Sequence, residues 1–345
     1  MEDKKMPHKT QGFTWTIEDE TLITYHAVYG DMLVELGKSE PRLVVVTADL
    51  GNSTRLQKFR EAFPERYINV GVAEQNMIAV AAGLAANGMI PIVSSYAVFA
   101  SLRGAEFIRA DLAYNRRNVK ILATLAGFSF GQGGPTHHSI EDIALMRAIP
   151  GICVVVPCDG LEAGAALKAS LSHEGPVYLR LGRSVEPAVH QSIPADFCIG
   201  KADLLRPGKD ISILACGPAV YYALSAAERA EKHGISVRVI NMHTLKPLDT
   251  EIILKAIRET RRLITAEDHS VIGGLGSAVA SVIAESAMAC RFKKLGHPDI
   301  FSPMGIPEDL IHRAGFDDDG ILAAISQMMK QALPEDDWND ETGIE

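Results

Sequence analysis

The chain has 345 residues, 47% hydrophobic and 22% charged, enough for two ordinary globular domains and unlike a disordered segment. A formal net charge of −9 argues against a nucleic-acid partner, which needs a basic face. No apolar run is long enough to span a membrane, and the start MEDKKMPHKTQGFTW lacks the apolar centre of a secretion signal; the five scattered cysteines, odd in number and without a CxxC, fit a reducing, cytoplasmic setting.

In chain order, a polar tail (1–19) precedes a first block (20–190) in which short β-branched runs alternate with Ala-rich stretches. RLVVVTADL (42–50) predicts a strand, AEQNMIAVAAGLAANG (73–88) a helix stopped by Gly88, and IPIVSSYA (90–97) a strand. A helix over 101–115 and a strand over 119–127 follow, then the Gly-rich loop FSFGQGGPTHH (128–138). The next helix is expected to start at Ser139 as N-cap, with Asp142 as its capping-box partner. Strands are expected at 151–159 and 176–184, and Pro187 and Pro194 mark a boundary. A second block (195–332) restarts the pattern, with strands at 210–217, 236–242 and 261–268 and helices at 219–234, 248–260 and 273–287, before an acidic tail (333–345). The reading is an α/β protein of two domains, each with a largely parallel sheet flanked by helices.

Several residues could carry chemistry. Glu74 opens an apolar helix, where a carboxylate also has the plain role of capping free N–H groups and favouring the helix dipole. The loop GQGGPTHH lets backbone approach a ligand and presents Gln132, His137 and His138 after a strand, where α/β folds place their sites; a plain loop with surface histidines is the alternative. Zinc does not suit adjacent histidines without a third ligand at metal spacing, so no metal is assigned to this chain. Arg180 and Arg183 in YLRLGR could hold a phosphate or carboxylate, or form salt bridges. Tyr96 and Phe99 could equally be core aromatics, and GGLG (273–276) reads as a close-packed turn.

Taken in order, ADLGNS (48–53), VGVAEQNM (70–77), SYAVF (95–99), GQGGPTHH (131–138), VVVPCD (154–159) and YLRLGR (178–183) resemble the pyrimidine-binding domain of transketolases and deoxyxylulose-phosphate synthases. LACGPAV (214–220), NMHTLKPLD (241–249) and AEDHSVIGGLGSAV (266–279) resemble their C-terminal domain. The resemblance implies thiamine diphosphate as cofactor. It casts Glu74 as the glutamate that hydrogen-bonds the aminopyrimidine N1′, Phe99 as the ring stacked on that pyrimidine, and Tyr96 as its neighbour. It casts His137 as a contact to substrate hydroxyls or a developing oxyanion, with His138 and Gln132 assisting. Arg180 is matched to the arginine that holds a substrate's terminal phosphate, Ser53 to a phosphate-contacting serine and Asp49 to an aspartate of the same loop.

Two departures from the family pattern carry consequences. The diphosphate and Mg²⁺ site of the family lies in a separate N-terminal domain marked by a GDG motif, which this sequence lacks. The implied enzyme is split: this chain, a partner subunit carrying the diphosphate and Mg²⁺ site, and homodimeric contacts within an α2β2 assembly. In the substrate loop the family aspartate is replaced by Gly133, a family histidine aligns with Leu125, and a family arginine aligns with His26. A small sugar-type substrate other than the standard pentose or tetrose phosphates is therefore expected. The alternatives are a beta subunit of a 2-oxoacid dehydrogenase and a non-catalytic partner subunit.

Overall fold

The computed structural model describes residues 22–23, 25–183 and 186–330, with side chains from Val28 to Arg183 and from Ala188 to Lys330. The two expected tails and the side chain of His26 lie outside the described residues.

The first sheet has seven strands in the order Thr244–Lys246, Cys153–Val155, Val177–Arg180, Lys120–Thr124, Ile90–Tyr96, Leu43–Thr47, Tyr67–Asn69. All neighbours run parallel except the first pair. Every residue of Leu43–Thr47 and of Lys120–Thr124 is buried. That is why these strands read as continuous apolar runs rather than alternating ones: helices cover both faces. Helix Glu74–Ala86 packs one face through Met77, Ile78 and Ala81 and ends just before Gly88, whose φ of +85° suits glycine after a helix.

Two local expectations need correction. The helix predicted over 101–115 forms wide π turns at Phe99–Arg103 and Ile108–Tyr114 around a short α turn, Ala105–Phe107. At Gly104 a Cβ would lie 2.4 Å from the Ala100 carbonyl oxygen, so glycine permits this tight stacking. The helix expected from Ser139 starts instead at Asp142, with Glu141 at the N-cap. The backbone of Ser139 is held elsewhere: its carbonyl accepts from Gly127 N (2.9 Å) and from Arg180 Nη2 (2.9 Å).

The second sheet runs Arg291–His297, Arg262–Ser270, Ile211–Cys216, Val237–Asn241, Asp203–Arg206, parallel except for the last pair. Asp249 caps helix Thr250–Thr260 by accepting from Ile252 N, and Asp159 caps helix Gly160–Ser172 by accepting from Glu162 N. The domains share structure as well as a boundary. Strand Thr244–Lys246 comes from the second block yet forms the edge of the first sheet. Leu214, Ile240, Met242 and Leu245 join Ile121, Val154 and Val156 in one buried apolar cluster. Parallel strands aim their C-terminal ends the same way, so the loops after Thr47, Tyr96 and Thr124 share one edge of the first sheet, where α/β folds bind ligands.

Candidate active site

Glu74 is the first residue of its helix and is 2% exposed. Both carboxylate oxygens accept from one nitrogen, Arg103 Nη1, at 3.2 Å each. The capping alternative is thereby disfavoured, since the carboxylate points at a guanidinium rather than at its own helix N–H groups. A buried carboxylate without a partner would be costly, and Arg103 supplies one from a side chain that is itself 47% exposed. The carbon of the same guanidinium lies 4.1 Å from the centre of the Phe99 ring, a face-on cation–π contact.

Phe99 opens a wall of rings. It stacks on Tyr96 (5.6 Å between centres, 23° between planes) and meets His137 edge-on at 5.3 Å. His137 also packs against Phe130 (5.7 Å) and Tyr96 (6.2 Å). Its Nδ1 pairs with Thr136 Oγ1 at 2.9 Å, which orients the ring and leaves Nε2 as the nitrogen open to a ligand. Beyond Phe130 stands the exposed Arg183, its guanidinium carbon 4.5 Å from the ring centre. These contacts line the side chains up in a row, called the slot below, with a buried carboxylate at one end, aromatic rings along it, an imidazole in the middle and a cation at the far end.

The structure thus brings together Glu74, Tyr96, Phe99 and His137 among the residues singled out in the sequence. Asp49, Ser53 and Gln132 are exposed on loops. Asp49 has a φ of +62° and exchanges hydrogen bonds with Asn69, donating its N–H to Oδ1 (3.0 Å) and accepting from Nδ2 (2.9 Å), which ties the loops after two neighbouring strands. His138 is buried, with Nε2 3.0 Å from the Gly131 carbonyl and its ring against Phe128; burial lowers its pKa, and its place is under the loop rather than in the slot.

Arg180, matched above to a phosphate-binding arginine, sits at the domain junction. Its side chain is 3% exposed, with Nε donating to Asp142 Oδ2 (2.9 Å) and Nη2 donating to the carbonyls of Ser139 (2.9 Å) and Asp268 (2.8 Å). Burial opposes its charge, but Asp142 and Asp268 outweigh that and raise its pKa. Asp142 also accepts from Tyr178 Oη (2.8 Å), and the Asp268 carboxylate accepts from Phe128 N and pairs with His297 at 2.7 Å. This guanidinium ties the two domains together through Nε and Nη2, and it lines a small cavity at the junction with Val156, Gly217 and Asp268. Arg183, three residues on, is the arginine that reaches the slot. GGLG is a second tie: Arg147 Nη1 donates to the carbonyls of Gly273 and Gly274. Within the second domain the Glu267 carboxylate accepts from Leu275 N and Gly276 N, and a Cβ on Gly274 would lie 2.0 Å from Glu267 Oε2.

The substitution at Gly133 also has a structural counterpart. A Cβ there would meet Phe130 at 2.7 Å and His137 Cβ at 2.8 Å. Phe130 fills the space next to Gly133, where the family loop carries an aspartate. Leu125 is buried, with a φ of +57°, a strained conformation for a γ-branched residue at the end of its strand. Sequence reasoning missed Arg103 and Phe130; FSFG and SLRG hold no spacing that separates such residues from ordinary surface or core ones.

Comparison with known proteins agrees with this architecture. The family description "Transketolase, pyrimidine binding domain" matches residues 22–187, and "Transketolase, C-terminal domain" matches 200–321. A transketolase C-terminal section of Methanocaldococcus jannaschii is 43% identical over 88% of this chain and 95% of its own length. One subunit of the apulose-4-phosphate transketolase of Phocaeicola vulgatus is 36% identical over 90% of this chain and 99% of its length. The 6-deoxy-6-sulfo-D-fructose transketolase subunit SqwH of a Clostridium species is 41% identical over 88% and 94%. Among solved structures, a split-gene transketolase described as an inactive beta4 tetramer superposes with a TM-score of 0.81 at 43% identity, covering 89% of this chain and 98% of that one. The chain therefore belongs to the transketolase family, as a C-terminal section made of the pyrimidine-binding and C-terminal domains.

Proposed function

We propose that this chain is the C-terminal subunit of a thiamine-diphosphate-dependent transketolase that moves a two-carbon ketol unit from a ketose donor to an aldehyde acceptor. The observation that carries the reading is the buried Glu74 carboxylate at the end of an aromatic slot. An aminopyrimidine suits that slot: a flat ring with a protonatable nitrogen for the carboxylate and a face for Phe99. Glu74 would hold a proton at that ring nitrogen, and Phe99, with Tyr96 behind it, would fix the ring's plane. When bound, the cofactor supplies a nucleophilic carbon and an electron sink; the protein supplies orientation and electrostatics.

With Thr136 Oγ1 donating to Nδ1, His137 Nε2 would donate to an oxygen that gains negative charge and return a proton to it. Tyr96, Phe99 and Phe130 would shield that oxygen from water, which strengthens the hydrogen bond. Arg183 would hold an anionic end of the substrate, a phosphate or a sulfonate. The names of two relatives support an anionic sugar, one a sugar phosphate and the other a sulfosugar. Asp49, Ser53, Gln132 and His26 would contact substrate, as the family resemblance implies.

We assign the diphosphate and Mg²⁺ to a separate N-terminal subunit, in an assembly with two copies of each chain. Groupings of possible metal ligands among the described residues are Cys158/Asp159/His190, Glu162/Asp203/His243 and His312/Asp317/Asp319, and none includes a slot residue. The split-gene relative, whose beta4 tetramer is inactive, supports the need for a partner. All five cysteines are free thiols, in keeping with a reducing, cytoplasmic setting. No helix among the described residues is long and apolar enough to cross a membrane. The 2-oxoacid dehydrogenase alternative is not favoured, since the relatives compared above are transketolase chains. The test is to reconstitute the chain with its N-terminal partner and analyse products by mass spectrometry. Ketol transfer to an aldehyde supports the reading; decarboxylation of a 2-oxoacid with acyl transfer to a lipoyl group contradicts it.

A further inference from the structure

Arg103 makes two contacts at once. Its Nη1 donates to both oxygens of Glu74 at 3.2 Å, and its guanidinium carbon lies 4.1 Å from the centre of the Phe99 ring. Those are the same two contacts the proposed function gives to the cofactor's aminopyrimidine: a hydrogen bond to the Glu74 carboxylate and a stack on Phe99. A guanidinium is flat, delocalised and rich in N–H donors, so it can imitate a protonated heteroaromatic ring in both respects.

We propose that Arg103 is an internal stand-in for the aminopyrimidine, seated in the cofactor's place in the chain by itself and displaced when cofactor and partner subunit come together. The inference rests on the reading of the slot as a thiamine diphosphate site. Three features make the exchange feasible. Glu74 is almost fully buried, so in the lone chain its charge needs a partner, and Arg103 is that partner. The Arg103 side chain is 47% exposed, so it can leave for solvent without unpacking the core. Arg103 ends the wide turn Phe99–Arg103, next to Gly104, and Phe99 sits four residues earlier on the same segment, so the side chain can swing without moving the ring it covers. An arginine that served only to hold Glu74 in place would need no stack on Phe99, the face the pyrimidine requires.

The consequence is competition. The cofactor must break the Arg103–Glu74 pair before it can bind, so the stand-in weakens cofactor affinity and keeps the unassembled chain's carboxylate satisfied. The test uses the complete chain assembled with its N-terminal subunit, Mg²⁺ present, and titrates thiamine diphosphate by calorimetry. Arg103→Gln keeps some hydrogen bonding without charge; Arg103→Met keeps the stem without either. Circular dichroism and co-purification with the partner establish that each variant folds and assembles, and each variant is judged on its own. Removal of the stand-in is expected to tighten cofactor binding, by roughly fivefold for Arg103→Met and less for Arg103→Gln. In the isolated chain Arg103→Met lowers the melting temperature, because Glu74 loses its partner. Equal or weaker cofactor binding by the variants, with the unmodified assembly binding normally, overturns the proposal and makes Arg103 a fixed holder of Glu74. Failure of the unmodified assembly to bind thiamine diphosphate overturns both this proposal and the reading of the slot.

Discussion

Arg180 and Asp142 form a buried ion pair at the junction of the two domains, Nε to Oδ2 at 2.9 Å, with side chains 3% and 0% exposed. Arg180→Ala would strand the Asp142 charge in the core and free the carbonyls of Ser139 and Asp268. Loss of one partner of a buried pair costs about 3–5 kcal/mol. Denaturant unfolding of the isolated chain is the measurement, and a large fall in stability is the expected outcome. A stable variant whose only change is a raised KM would return Arg180 to the substrate.

Arg183 predicts the opposite pattern. It is exposed and rests on Phe130 at the rim of the slot. Arg183→Gln should leave the melting temperature unchanged and raise KM for an anionic sugar by roughly tenfold or more, with little effect on substrates lacking the anion. Equal loss for charged and uncharged substrates would exclude an anion-binding role.

Gly133 is held small by Phe130 and His137, whose atoms lie 2.7–2.8 Å from where a Cβ would stand. Gly133→Asp should push His137 off its ring contacts and cut activity, with an overpacking cost of about 1–3 kcal/mol. Pairing it with Phe130→Ala vacates the space and should recover stability. No recovery in the double variant would show that Phe130 does not set the constraint.

A buried cluster of Asp159, Glu162 and His190, joined to the second domain where Asn241 Nδ2 donates to Glu162 Oε1 (2.7 Å), gives stability a defined pH profile. Burial works against the charge on His190, yet the hydrogen bond and charge of Asp159, with Glu162 nearby, lift its pKa to about 8. Burial raises Glu162 to about 7. In both cases the folded chain binds protons more tightly than the unfolded one: the Glu162 contribution is complete below about pH 4.5 and lost as pH rises to about 7, and the His190 contribution is complete below about pH 6.5 and lost as pH rises to about 8. Burial lowers His243 and His269 to about 4, so the unfolded chain takes up protons first and stability falls as pH drops from the ordinary histidine value toward about 4. Burial raises Glu267 to about 7 as well, so the two carboxyls offset the two histidines between about pH 4.5 and 6.5, and the clear limb is a fall in denaturation midpoint as pH rises from about 6.5 to about 8. His190→Gln should flatten the alkaline limb. A profile that keeps rising to pH 9 would contradict the assignment.

Much of the fold was legible because central parallel strands leave a plain trace. Leu43–Thr47, Ile90–Tyr96, Lys120–Thr124 and Ile211–Cys216 lie inside the apolar runs that predicted them. The edge strand Thr244–Lys246 was not legible, since its three residues pair with a sheet some ninety residues earlier in the chain and carry no pattern of their own. Ser139 misled because a serine three residues before an acid fits a capping box, whereas here its backbone serves Gly127 and Arg180. Glu74, Phe99, Tyr96 and His137 were singled out through motif order, and the structure sets them side by side. Arg180 and Arg183 share one short motif, and only burial tells which faces the domain junction and which the slot. Arg103 was invisible because its role depends on an ion pair across twenty-nine residues.

The most direct test of the central claim is the activity of Glu74→Gln in the assembly with the N-terminal subunit. The substitution keeps the shape of the side chain and removes its charge. The account predicts an unchanged fold and assembly and a loss of ketol transfer of at least about 100-fold, the scale of a removed acid–base group. Full ketol transfer by the Glu74→Gln assembly would contradict it.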